Sequence, residues 1–168
     1  MKGVFKSFFL YWRGYGGIIA LLSSLYVWLS LVITLIIAIN NCDQQNLWEW
    51  YENVINIIPS ILGFALGGYA ILVGFGDEKF LSIMRGKEKK EDFSLYMRVN
   101  TSFFHFIFVE FISLFYAIIY KALILENIYL YYLGIFLFFY ALFTIVSTAF
   151  SVLNLADWFD TMQPPDEG

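Results

Sequence analysis

One cysteine, one histidine and three prolines in 168 residues, with only 14% of the chain charged, remove several classes of protein at once. A lone Cys42 excludes an internal disulfide, a Cys-based zinc site and a CxxC redox pair, and leaves open an intermolecular bond or an idle thiol. A lone His105 excludes the HExxH zinc motif, and no glycine-rich phosphate loop occurs. No acid/base pair with catalytic geometry can be assembled from the motifs, so the expectation is a protein that is not an enzyme and holds neither metal nor organic cofactor. Asp157, Asp160, Asp166 and Glu167 read as a solvated acidic tail.

The scarcity of charge is segmental. Gly14 to Cys42, Asn53 to Gly76 and Asn127 to Ala156 carry no charged residue, and Val99 to Tyr120 carries one, Glu110. A helix needs about 20 apolar residues to cross the hydrocarbon core, and each run is long enough. With 60% hydrophobic residues and a mean hydropathy of +0.70, folding in water would leave too much apolar surface exposed. The first run follows a basic N-terminus, as in a signal peptide, but it is too long and no small-residue cleavage site follows it. The reading is therefore one all-α domain over 1–168, a polytopic membrane protein with four transmembrane helices at about 17–39, 53–75, 99–120 and 127–155.

Basic residues set the expected orientation. Of the ten Lys and Arg residues only Lys121 lies on the far side; the rest sit before the first run or between the second and third. The positive-inside rule then places both termini and the loop 77–98 in the cytoplasm. Met1 to Arg13 reads as an interfacial amphipathic helix, with Phe5, Phe8 and Trp12 on one face and Lys2, Lys6 and Arg13 on another. Trp48, Trp50, Tyr51, Tyr129, Tyr131 and Tyr132 are expected in the outer aromatic belt, with Tyr15, Tyr96 and Trp158 in the inner one. The short connection Lys121 to Glu126 makes the third and fourth helices antiparallel neighbours.

Several residues stand out as candidate sites. In the second helix Ser60, Gly63, Gly67, Ala70 and Gly74 recur at steps of three and four, a stripe that permits close backbone approach. It fits a seam within the molecule, self-association or a pore lining. Pro59 removes one backbone donor and is expected to give a mild kink. In the fourth helix Thr144, Ser147, Thr148, Ser151 and Asn154 share one wedge, which fits a wet vestibule or hydrogen bonding between helices. Glu110 is near the middle of the third helix, where a charged carboxylate costs about 2.5 to 3.5 kcal/mol to insert, so it should face protein or water. His105 is five residues away, about 140° around the axis, too far around for a direct pair with Glu110. It is either a hydrogen-bonded residue of the inner leaflet or part of a proton relay. Arg85, Lys87, Lys89 and Lys90 are candidates for docking a polypeptide; nearby acids almost cancel them, which argues against nucleic acid as a partner.

Tyr96-Met97, ten residues, Phe108-Val109-Glu110, three residues and Leu114-Phe115 form a pattern that resembles the membrane subunit of the phage lambda Rex exclusion system. The resemblance runs from the second helix through the third. It implies a bacterial anti-phage or abortive-infection protein of the inner membrane, working with a cytosolic sensor protein. Kiwa-like systems pair a four-span membrane protein with a cytosolic partner in a similar way. Two functions fit: a homo-oligomeric ion-conducting effector that depolarises the membrane, or a non-conducting sensor or anchor that recruits a cytosolic effector.

Overall fold

The computed structural model describes residues 2–41, 47–74, 93–123 and 127–162. Cys42, Asp166, Glu167 and the docking candidates Arg85, Lys87, Lys89 and Lys90 lie outside the described residues. Six helices make up the described chain, and no strand occurs among its residues: α1 (Lys2–Tyr15), α2 (Gly17–Ser23), α3 (Leu25–Asn40), α4 (Trp50–Gly74), α5 (Leu95–Leu123) and α6 (Ile128–Met162). Three of them are long and apolar enough to cross a membrane, at Trp50–Ala70, Tyr96–Leu123 and Ile128–Asn154. The total becomes four if α2 and α3 together form one span.

That first run is not the single helix expected over 17–39. It breaks at Ser24, which is extended (φ −68°, ψ 122°), and the two pieces are bent by 53°. Serine pairs are a recurrent cause of sharp kinks because their hydroxyls take over freed backbone groups. Here Ser23 Oγ donates to the Ala20 carbonyl at 3.1 Å, and the indole N–H of Trp28 donates to the Leu22 carbonyl at 2.8 Å. Gly16 and Gly17, with φ of +102° and +66°, turn α1 into α2 through left-handed conformations that a side chain would strain.

The central pair is α5 and α6; α4 packs on α5, α3 reaches the bundle through α6, and α1 lies along α5. The α5–α6 adjacency is the one that the short connection implies. Asn127 caps α6, its Oδ1 accepting from the N–H groups of Tyr129 at 2.9 Å and Leu130 at 3.3 Å. Tyr116 ties the two helices by donating to the Leu130 carbonyl at 2.8 Å. Pro59 lies within an unbroken α4 on an exposed face, so its missing donor does not interrupt the packed side.

The main core joins Trp50, Val54 and Ile58 of α4 to Val109 and Ala117 of α5 and to Ile135, Phe138 and Ala141 of α6. Trp50 therefore belongs to the interior and not to the aromatic belt. Its side chain is fully buried against Gly134, where there is no Cβ to hold it off. Tyr131 is buried too, its hydroxyl donating to the Trp48 carbonyl at 3.1 Å. A second, smaller cluster of Val99 and Phe103 with Tyr69, Tyr96 and Val152 closes the other end.

Candidate functional site

Among the buried polar groups of the described residues, two features of α5 stand out. The first is centred on His105. Its Nδ1 is 2.7 Å from the Tyr11 hydroxyl and its Nε2 2.7 Å from the Tyr140 hydroxyl, while the Tyr15 ring stacks on the imidazole at a centroid distance of 3.9 Å. A neutral imidazole donates through one nitrogen and accepts through the other, so one tyrosine donates to it and the other accepts. Burial, and then the neighbouring Tyr15, push the Tyr11 phenol up to about 12, so it stays a neutral hydroxyl. This cluster fastens α1 to α5 and α6. Gly14 adds to the same seam: a Cβ there would come within 2.7 Å of the Thr101 methyl.

The face of α1 that packs inward is set by Tyr11 and Tyr15, one turn apart, whereas Phe5 and Phe9 are exposed. The amphipathic reading of Met1 to Arg13 puts Phe5, Phe8 and Trp12 on one face, whereas α1 packs inward through Tyr11 and Tyr15 and leaves Phe5 and Phe8 exposed. The sequence signal for the cluster is two tyrosines at i and i+4 and a histidine in the N-terminal half of the third run. Nothing in the spacing shows that they meet.

The second feature is Glu110 with Ser113, one turn apart on the inward side of α5. Both are 0% exposed, and among the described residues neither carboxyl oxygen of Glu110 nor the Ser113 hydroxyl has a hydrogen-bond partner. An unpaired buried carboxyl is costly, and a charged one more so, which is why such groups cluster where a proton, a cation or a partner is handled. His105 and Glu110 serve separate surroundings, as their angular separation requires.

The remaining candidates fall into two sets. On α6 the Thr144 hydroxyl donates to the Ala141 carbonyl at 2.6 Å, Thr148 to Thr144 at 2.9 Å and Ser151 to Ser147 at 3.1 Å. Thr144 and Thr148 are buried within the single copy, and Asn154 is exposed. Ser30 and Thr34 of α3 are satisfied in the same local way, through the Tyr26 and Ser30 carbonyls. On α4 the small stripe points outward: Ser60, Gly63, Gly67 and Ala70 are exposed, and a Cβ at Gly63, Gly67 or Gly68 would meet nothing within 4 Å. The stripe is thus not a seam within one copy. Asn56, also exposed, lies on the same face.

No protein-family model, curated protein or solved structure matches the chain.

Proposed function

We propose that this chain is a four-span protein of the bacterial cytoplasmic membrane, with both termini inside, that assembles as a homo-oligomer and depolarises the membrane in anti-phage defence when a cytosolic partner triggers it. The observation that carries the conducting role is Glu110, fully buried in the central helix with neither oxygen bonded among the described residues. A carboxyl in that position weakens the bundle unless a proton, an ion or a rearranged partner uses it. Assembly is supported by the outward face of α4, where Asn56 and Ser60 continue a stripe of Gly63, Gly67 and Ala70. Exposed amide and hydroxyl groups beside bare backbone are better accommodated by another helix than by lipid tails. The loop carrying Arg85, Lys87, Lys89 and Lys90 is the proposed contact for the partner, and the defence role rests on the resemblance to the Rex membrane subunit.

The runner-up is a non-conducting membrane sensor or anchor. It is favoured by the α6 hydroxyls, which are spent on their own helix and turned into the single copy. Planar-bilayer recording of the purified oligomer separates the two. Conductance that Glu110→Gln alters supports the effector; a silent bilayer with correctly inserted protein supports the anchor.

A further inference from the structure

Where α4 begins and α5 ends, the structure forms an open pocket of about 310 Å³ that plays no part in the proposed conduction. Its walls include Trp48, Tyr51, Tyr120 and Tyr131, and two charged side chains, Glu49 and Lys121, share the lining. Tyr51 and Tyr120 lie 5.9 Å apart between ring centroids and are tilted by 34°, and Tyr120 is backed by the buried Trp50 ring at 5.2 Å. Tyr131 is fixed by its bond to the Trp48 carbonyl. The frame is therefore braced from behind and open in front.

One charge of each sign lines this frame, the Glu49 carboxylate and the Lys121 ammonium. Lys121 Nζ is 2.7 Å from Glu52, both side chains partly exposed, and Glu49 lies against the Tyr51 hydroxyl. Aromatic faces and a carboxylate attract an organic ammonium, and a lysine ammonium attracts a phosphate. The volume is at the small end of ligand sites, roughly 300 to 1,000 Å³. Tyrosine and tryptophan at the end of apolar helices mark headgroup depth.

We propose that the pocket formed by Trp48, Glu49, Tyr51, Tyr120 and Lys121 binds a zwitterionic ethanolamine-phosphate group, the ammonium against Glu49 and the rings and the phosphate on Lys121. The group can arrive as the headgroup of phosphatidylethanolamine or as soluble phosphoethanolamine. The same chemistry serves both.

Native mass spectrometry of the full-length protein, delipidated and then offered equimolar phosphatidylethanolamine and phosphatidylglycerol of matched chains, tests this. Phosphatidylethanolamine should be retained over phosphatidylglycerol, and Glu49→Gln should cut that preference about tenfold, as expected for losing a hydrogen bond to a charged group. Displacement of the lipid by soluble phosphoethanolamine would identify the free molecule as a second source; failure to displace it would assign the site to lipid alone. Equal retention of the two lipids by the wild-type protein overturns the proposal, and this comparison needs no variant. A preference unchanged in both Glu49→Gln and Lys121→Met overturns it as well. Neither outcome depends on whether the oligomer conducts.

Discussion

Gly134→Ala adds one methyl group to the chain, and the geometry makes it among the most damaging small changes available. A Cβ at Gly134 would lie 2.0 Å from Cζ2, 2.2 Å from Cη2 and 2.6 Å from Cε2 of Trp50, where ordinary contact begins at 3.4 Å. The indole cannot step aside cheaply. It is fully buried, with Tyr120 at 5.2 Å and Tyr116 stacked at 6.0 Å between ring centroids, and it anchors α4 to the core. Overpacking of this kind costs about 1 to 3 kcal/mol and occasionally more, a loss of roughly fivefold to 150-fold in the folding equilibrium. Trp50→Leu alone should also destabilise, by a few kcal/mol, through the cavity it leaves. The two together should cost less than their sum, because the added methyl enters space the indole vacated; a coupling of about 1 kcal/mol or more is expected for residues in contact. Equilibrium unfolding in detergent micelles, followed by helical circular dichroism, gives all four corners of this cycle. A Gly134→Ala variant within about 0.5 kcal/mol of wild type, or strictly additive costs, would refute the reasoning.

The outward glycines should behave in the opposite way. Gly67→Leu and Gly63→Leu meet open space in the single copy, so each should fold normally yet lose the crosslinked oligomer; unchanged size in both would remove α4 as an interface. For Glu110, the absence of any bonded partner predicts that Glu110→Leu stabilises the bundle by about 1 to 3 kcal/mol while abolishing conductance, measured by unfolding and bilayer recording; a marked loss of stability would mean the carboxyl is paired in the assembly. His105→Phe strands the Tyr11 hydroxyl, takes one partner from Tyr140 and should loosen α1, seen as faster amide hydrogen exchange over Lys2–Tyr15 with little change in α4; equal protection in the variant would deny the cluster its fastening role. A cytoplasm-only fluorescent reporter inserted near Lys89 or fused after Gly168 should glow, and a well-expressed but dark C-terminal fusion would overturn the proposed topology.

Long uncharged runs fix element type and length without reference to any neighbour, because a backbone in lipid must satisfy its hydrogen bonds within a helix. The last three runs are therefore legible from the sequence alone, and so is the pairing of α5 with α6, which a short connection forces. Composition shows equally well that Glu110 is costly where it stands. Tertiary structure decided everything that depends on which side of a helix meets what. Trp50 reads as an interfacial residue by type and by place in the chain, and it is internal only because Gly134, 84 residues later, leaves room for its ring. The glycine stripe of α4 looks the same in sequence whether it faces a neighbour or lipid; only the packing of α4 by its Trp50, Val54 and Ile58 side turned the stripe outward. The break at Ser24 leaves no mark in the sequence because apolar content persists through it, and hydropathy carries no record of a dihedral angle. The meeting of Tyr11, His105 and Tyr140 needed three separate helices to be placed first, since hydrogen bonds of a few ångströms between distant residues leave no periodicity in the chain.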